Sequence, residues 1–483
     1  LIQSGIGYPE NLSRVLTVGP LPAEKCAYAL ARYSRSPDSI RESLEWVRSH
    51  DSAKFLESFY FQYGHASIAD LGHVVVCFEG VSELAAIEIE DEPLWDGQAR
   101  SSRYQDFSKN EAIRPPELEE AQAELYREVA GSLLNAYRSV HTRVLEQLRE
   151  QLPRPEGMKE AAYERNLAAR AFDVARYLLF LGVPTGVGQV VSIRTLEKQI
   201  RRLKASPYRE VREIAEEAAQ ACEQPPSCSW DERLAEPVAP TLAKYVDVDR
   251  HLQEAYAALK LWAVHNLGSV EPLQTPDVDL LEPGEVLADI AATLLYRVTH
   301  LPYRQLYEMT ASWSDARKME VLELVLASRA ERDELLREFR GGPFVFDITM
   351  DLGAWRDLHR HRRCVQVRQE YATLLGYDTP EAVREADLED LYLSAIQQAF
   401  AAAAALPPRA AEYILPFATR GRFLFKMDFA EAEYIARLRS GVKGHFSYRK
   451  IAWEMKQAME RLHPSLGRLI KATPPWVADP LKR

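Results

Sequence analysis

One order of elements is written twice along this chain, and that repetition constrains the fold more than any single motif does. In the first pass, HVVVCF (His73 to Phe78) has the β-branched, alternating character of a strand. It is followed by a long amphipathic helix over Pro116 to Gln151 and a second helix over about Pro155 to Leu181. GQVVSI (Gly188 to Ile193) reads as another strand, and a helix follows from about Tyr208 to Glu223. After PPSCSW and a helix around Leu252 to His265 comes Leu267 to Gly284. It has prolines at 272, 276 and 283 and no periodicity, so we read it as the main inter-domain connection. The order then returns: strand-like PFVFDITMDL (Pro343 to Leu352), a long helix over Leu388 to Leu406, and the strand FLFKM (Phe423 to Met427). Asp428 is placed to cap a helix to Arg439, and a last helix spans Phe446 to Leu462. The letters repeat as well: IRRLK (Ile200 to Lys204) matches IARLR (Ile435 to Arg439), and IAEEAAQA (Ile214 to Ala221) matches IAWEMKQA (Ile451 to Ala458). Helical periodicity alone also produces such matches; the shared order of elements favours duplication.

Length and charge fit that reading and exclude others. A chain of 483 residues with 47% hydrophobic and 27% charged residues has apolar surface for more than one core. We therefore expect an α+β protein of two tandem domains, mostly helical, with a small antiparallel sheet in each. The boundaries fall at 1–235, a connecting helix and Pro-rich linker at 236–283, and 284–483. The net charge of −11 argues against coating nucleic acid. No run of about eighteen apolar residues is present to span a membrane. The opening LIQSGIGYPE lacks the basic and apolar regions of a secretory leader. Cys26, Cys77, Cys222, Cys228 and Cys364 form no CxxC spacing, which disfavours zinc and a disulfide framework and points to a reducing cytoplasm. Cys364 adjoins a basic run that would activate a thiol, but no oriented base is apparent, and an incidental small residue is the better reading.

Against this acidic background HRHRR (His359 to Arg363), directly after Trp355-Arg356-Asp357-Leu358, is the sharpest local feature. Its alternating guanidinium and imidazole groups suit phosphates or a nucleotide or flavin ring; a solvated basic turn pairing with surface acids fits equally. QARSSRYQDF (Gln98 to Phe107) puts Ser101, Arg103 and Tyr104 in a loop where a hydroxyl and a guanidinium share an anion, or where nothing binds. YGHASIAD (Tyr63 to Asp70) offers His65 beside a glycine as a site histidine or a helix-ending one. Arg176, Arg194, Arg422 and Arg439 sit at element ends, where arginine reaches an anion or caps a helix. No Gly-rich phosphate loop, HExxH or GxSxG is present.

Together these pieces resemble the flavin-dependent thymidylate synthase (ThyX) family, whose signature is R-H-R, seven residues, then S-x-R-Y. Arg360-His361-Arg362 matches the opening, but Glu370-Tyr371-Ala372-Thr373 stands where the close should be. Ser101-Ser102-Arg103-Tyr104 matches the close, while Asp91-Glu92-Pro93 stands where R-H-R should be. Each half keeps the part that the other has lost. Gly64-His65 is similar to the family's Gly-His, against Gly341-Gly342-Pro343 in the second half. Arg176 is similar to its arginine before the Leu-Pro loop; there the second half carries Glu412, and keeps Leu415-Pro416. The late substrate-binding arginine corresponds to Arg439, and in the first half to Lys204 or Arg202 with a one-residue slip.

The resemblance implies FAD and dUMP at composite sites, with NADPH and methylenetetrahydrofolate as co-substrates, dUMP methylated to dTMP, no cysteine nucleophile and no metal. Arg360, His361 and Arg362 would hold the flavin, with His65 and Arg194 as further cofactor contacts. Ser101, Arg103, Tyr104, Arg176 and Arg439 would bind the nucleotide, with Arg103 and Arg439 as the catalytic pair. The double-length chain would dimerise into a pseudo-tetramer of ThyX-like domains. The alternative is a catalytically inactive homologue that binds a nucleotide, a flavin or a protein partner.

Overall fold

The four expected strands form, and three short ones join them. In the computed structural model the described residues are 21–33, 40–51, 54, 66–103, 105–109, 111–228, 235–330, 333, 335–479 and 481. The strands are β1 (His73–Ser82), β2 (Asp96–Ala99), β3 (Pro184–Ser192), β4 (Val278–Leu281), β5 (Phe344–Asp351), β6 (Val365–Arg368) and β7 (Arg420–Met427). They make two small sheets, ordered β1-β3-β2 and β4-β5-β7-β6. β2 and β6 escape sequence reading because four residues carry too little pattern, and β4 is hidden among the prolines of the 267–284 segment. Helices make up most of the rest, giving an α+β fold. No described helix is long and apolar enough to cross a membrane.

The chain forms two compact units. The smaller draws on Leu1–Val74, Ser192–Glu197 and Ala219–Tyr245; the larger holds Val75–Val191, Lys198–Ala218 and Val246–Arg483. In the smaller unit Ala27, Ala31 and Ile68 form an apolar cluster, and buried Glu24 accepts from the Thr241 amide and hydroxyl at 2.7 and 2.8 Å.

Inside the larger unit the two sheets repeat one register. Asp96 lies opposite Val190 and Ala99 opposite Val187; in the second sheet Val365 lies opposite Lys426 and Arg368 opposite Phe423. The helices that leave the first strands are capped alike. Ser82 accepts from the Ala85 amide (3.0 Å) and Asp351 from the Ala354 amide (2.8 Å). All eight residues of β5 are buried. Helices Arg250–Leu267, Val286–Val298, Tyr303–Ser312 and Asp315–Leu326 pack onto Val345, Val367 and Leu424, and helix Phe446–Leu462 lies against β4 and β5. The 32-residue helix Glu120–Gln151 buries Tyr126, Val129, Ala130, Leu133, Leu134 and Tyr137 at helical spacing, the stripe expected from its sequence. Asp428 caps Phe429–Arg439 as expected, accepting from the Glu431 amide at 2.9 Å.

The loops before β3 and β7 exchange paired backbone bonds. Leu181 N–H donates to Leu415 C=O and Phe417 N–H to Leu179 C=O; Gly182 N–H donates to Tyr413 C=O and Ala418 N–H to Tyr177 C=O. Each bond therefore has its mirror image. This exchange also stops the helix expected over 155–181 early: it runs Glu160–Ala175, then makes one 3₁₀ turn at Arg176–Leu178. Gly182 sits at the crossing, where a methyl group would run into the Tyr126 hydroxyl and lie 3.0 Å from the Tyr413 carbonyl. Gly182→Ala should therefore destabilise by about 1–3 kcal/mol through overpacking. Thermal unfolding measures it, and an unchanged midpoint would contradict the close approach.

Candidate functional site

The helix Leu352–Leu358 runs off β5 and delivers Arg356 and Asp357 ahead of the basic turn. Arg356 is buried. Its Nε lies 2.7 Å from Glu83 Oε2, Nη1 donates to Ser102 Oγ (3.1 Å) and Nη2 to the Arg100 carbonyl (2.6 Å). One guanidinium from the second half thus holds the segment that bears the S-x-R part of the split signature. Burial pushes the Glu83 carboxyl up, and neighbouring Arg356 pulls it back.

Arg103, held in that segment, is itself buried. Nε and Nη2 donate to the two oxygens of Asp173 (2.7 and 3.3 Å), Nη1 donates to Tyr448 Oη (2.9 Å), and Nη2 also donates to the Lys443 carbonyl (3.2 Å). The Tyr448 ring lies under Arg103 at 5.7 Å and under Arg439 at 5.6 Å, so one tyrosine joins both arginines. Arg439 Nε donates to His361 Nε2 at 2.7 Å. With that nitrogen accepting, His361 presents Nδ1–H to Glu431 at 3.3 Å and is neutral. Burial lowers its pKa, the Glu431 bond opposes that, and the Arg439 charge adds to the lowering.

The rest of the basic turn meets β2. Arg360 Nη1 donates to Gln98 Oε1 (3.4 Å), while Arg362 Nη2 donates to Asp96 (2.9 Å) and lies over the Trp95 ring at 5.8 Å. Both arginines are half-buried, and Arg363 and Arg100 are exposed. Arg176 is 1% exposed and pairs with Asp357 at 2.9 Å. Burial alone would raise the Asp357 carboxyl, but Arg176, Arg103 and Arg356 hold it well below the usual carboxylate range. Ser101 Oγ accepts from the Arg103 amide at 3.3 Å.

Of the residues singled out from sequence, Arg103, Arg439 and His361 are joined through Tyr448 and the Arg439–His361 bond. Arg360 and Arg362 border the same β2-to-Arg103 segment, and Arg176 pairs with Asp357, whose carboxyl also feels the Arg103 and Arg356 charges. Arg194 belongs to the smaller unit, where it pairs with Asp70 at 3.0 Å. His65 and Tyr104 lie outside the described residues. Sequence reading missed Glu83, Asp173, Arg356 and Tyr448; only Arg356, next to the basic run, carried any local signal. Burial lifts the Cys364 thiol to about 12, which agrees with an incidental role for that cysteine.

Arg356→Met leaves Glu83 buried without its cation, a loss of about 3–5 kcal/mol at neutral pH. The carboxyl then binds a proton more tightly in the folded than in the unfolded chain. Stability therefore falls as pH rises, and the deficit against wild type should be larger at about pH 8 than at about pH 5. Denaturant midpoints at the two pH values test this; equal deficits would contradict the pairing.

A sequence profile described as "Thymidylate synthase complementing protein" matches residues 17–225 and 286–465. A UPF0159 protein of Chlamydia muridarum is 30% identical over 434 residues, covering 87% of this chain and 81% of the relative. A UPF0159 protein of Thermoplasma acidophilum is 25% identical over 495 residues, covering 92% and 94% respectively. Among solved structures, Helicobacter pylori thymidylate synthase X crystallised with FAD and dUMP is 17% identical, covering 41% of this chain and 88% of that one at a TM-score of 0.24. With both profile segments matched and 81% and 94% of these relatives covered, the chain belongs to the thymidylate synthase complementing protein family.

Proposed function

We propose that this chain is a flavin-dependent thymidylate synthase-like protein that methylates a dUMP-like nucleotide in the cytoplasm, built from two tandem copies of one domain. The copies occupy 1–235 and 284–483, joined through 236–283, and two chains would pair into a pseudo-tetramer of such domains. The repeated register and mirrored loop bonds support the duplication. The observation that most supports the function is the meeting of the split signature within one chain: Arg360 on Gln98, and Arg356 on Ser102 and Arg100.

The residues fit an anionic, planar cofactor. Arg360 keeps a buried Nε, and Arg176 a buried Nε and Nη2, without hydrogen-bond partners. A Cβ at Gly353 would stand only 3.2 Å from Arg176 Nη2, so the glycine keeps that edge clear. Arg360 and Arg362 would hold FAD, with His361 fixed behind them by Glu431. When bound, FAD supplies the hydride chemistry that converts the one-carbon unit of methylenetetrahydrofolate to a methyl group, with NADPH as reductant. Arg103 and Arg439, aligned on Tyr448, would orient the uracil carbonyls; Ser101 and Arg176 would complete the nucleotide contacts. These groups donate hydrogen bonds and stabilise negative charge.

A second reading has its own support. Arg103 is already bound by Asp173, Tyr448 and Lys443, as an inactive homologue that only binds nucleotide or flavin would tolerate. Flavin fluorescence titration and dUMP-dependent oxidation of reduced flavin separate the two. The enzyme reading expects Arg362→Ala to weaken FAD binding by roughly tenfold or more, from the loss of one charge-assisted contact. It expects Arg103→Ala to keep FAD and lose the dUMP-dependent step. Wild-type protein that binds both ligands without turnover is the inactive homologue, and failure to bind FAD removes both flavin readings.

A further inference from the structure

The mirrored fold allows each residue of the candidate site to be matched with a counterpart by geometry. Counting from the paired caps Ser82 and Asp351, Glu88 matches Asp357 and Asp91-Glu92-Pro93 match Arg360-His361-Arg362. Counting from the mirrored bonds of Tyr177 and Tyr413, Glu412 matches Arg176 and, one helical turn earlier, Arg409 matches Asp173. The common register of β2 and β6 puts Arg368 at Ala99, Glu370 at Ser101 and Ala372 at Arg103.

At Arg176, Asp173 and Arg360 the counterparts Glu412, Arg409 and Asp91 carry the opposite charge, while Asp357 stays acidic as Glu88. Arg176 and Asp173 become Glu412 and Arg409, which pair with each other at 2.9 Å. Glu412 also accepts from Tyr208 Oη at 2.5 Å, and Glu370 is held by Arg409 (2.9 Å) and Lys260 (2.6 Å). Arg368, lying over the Tyr371 ring at 4.3 Å, binds Glu88 at 2.5 Å. Arg202 Nε takes Glu92 (2.7 Å) and Arg337 takes Asp91 (2.6 Å). The arginine that would match Arg103 is absent, because Ala372 stands there. No guanidinium of Arg202, Arg337, Arg368 or Arg409 keeps a buried nitrogen without a partner, in contrast to Arg176 and Arg360.

We propose that this chain has one ligand site and one sealed counterpart: the positions around Glu88, Glu370 and Glu412 form an internal ion cluster that rejects an anionic nucleotide or flavin, so each chain binds a single equivalent. The inference rests on the functional reading above and fixes its stoichiometry. The cluster offers acids where a phosphate needs donors, and each of its cations is already committed to one of them.

The test is equilibrium titration of the full chain with FAD, and with dUMP, counting equivalents bound, alongside thermal unfolding. Wild type should bind one equivalent of each. Arg362→Ala should weaken FAD binding by about tenfold with an unchanged unfolding midpoint. Glu412→Gln should lower the midpoint and keep one equivalent. Glu370→Gln, at a half-exposed position, provides the same comparison should the Glu412 variant fail to fold. Two equivalents on wild type, or loss of binding in a folded Glu370→Gln protein, overturns the inference while leaving the functional reading in place. No binding by wild type overturns both.

Discussion

The Arg356 guanidinium is the contact on which the site depends. A buried cation needs each N–H met, and here the partners are a carboxylate, a hydroxyl and a backbone carbonyl drawn from two separate stretches of the first half. Satisfying them fixes the 100–103 backbone against the helix Leu352–Leu358. Arg103 is then aimed at Asp173 and Tyr448, and Tyr448 in turn faces Arg439, whose other partner is the imidazole at the centre of the basic turn. Release of the Arg356 contact would let the S-x-R segment move independently of the R-H-R turn.

Backbone geometry and site chemistry are separable in this fold. The mirrored caps and exchanged loop bonds use main-chain groups and short capping side chains, so they do not depend on what the neighbouring charged positions carry. A buried ion pair is met equally well with its charges exchanged. The Arg176 position carries Glu412 in the other half and the Asp173 position carries Arg409; Glu412 and Arg409 pair with each other, whereas Arg176 pairs with Asp357 and keeps a buried Nε and Nη2 without hydrogen-bond partners. On the proposed duplication, the two halves would have diverged in charge while the register of the sheets stayed constant.

Much of this was legible in the sequence, for physical reasons that also mark where it stopped. β1, β3, β5 and β7 are long enough for β-branched pattern to register, and Asp428 announces its helix through a capping preference; the DGQA of β2 has neither. The basic turn read equally well as a solvated patch. His359 and His361 are in fact buried while Arg360 and Arg362 are half-buried, a division set by packing that adjacent letters do not encode. Asp173 and Tyr448 carried no signal because their role arises only from contact with Arg103 across long sequence separations. The split signature announced that the two strings belong together; Arg356, outside the signature, is the residue that brings them together.

Charge balance also divides the site into two kinds of surface. Arg103 is matched bidentately by Asp173, which Arg170 also approaches at 3.7 Å, and its Nη1 and Nη2 are further taken by Tyr448 and the Lys443 carbonyl. Arg176 is compensated by Asp357, whereas Arg439 donates to a neutral His361 and keeps its charge. At the β2 edge the balance differs. Among the described residues Arg360 donates to the neutral amide of Gln98 while its charge also acts on buried Glu90 and Glu83, and the carboxylate paired with Arg362 belongs to an Asp96 whose side chain is 82% exposed, where water screens the pair. Arg363 and Arg100 add exposed positive charge beside them. On the proposed reading, a cofactor diphosphate would lie at that edge and a uracil ring over Tyr448. In a protein with a net charge of −11, local concentrations of positive charge are confined to a few segments, and the basic turn beside β2 is one of them.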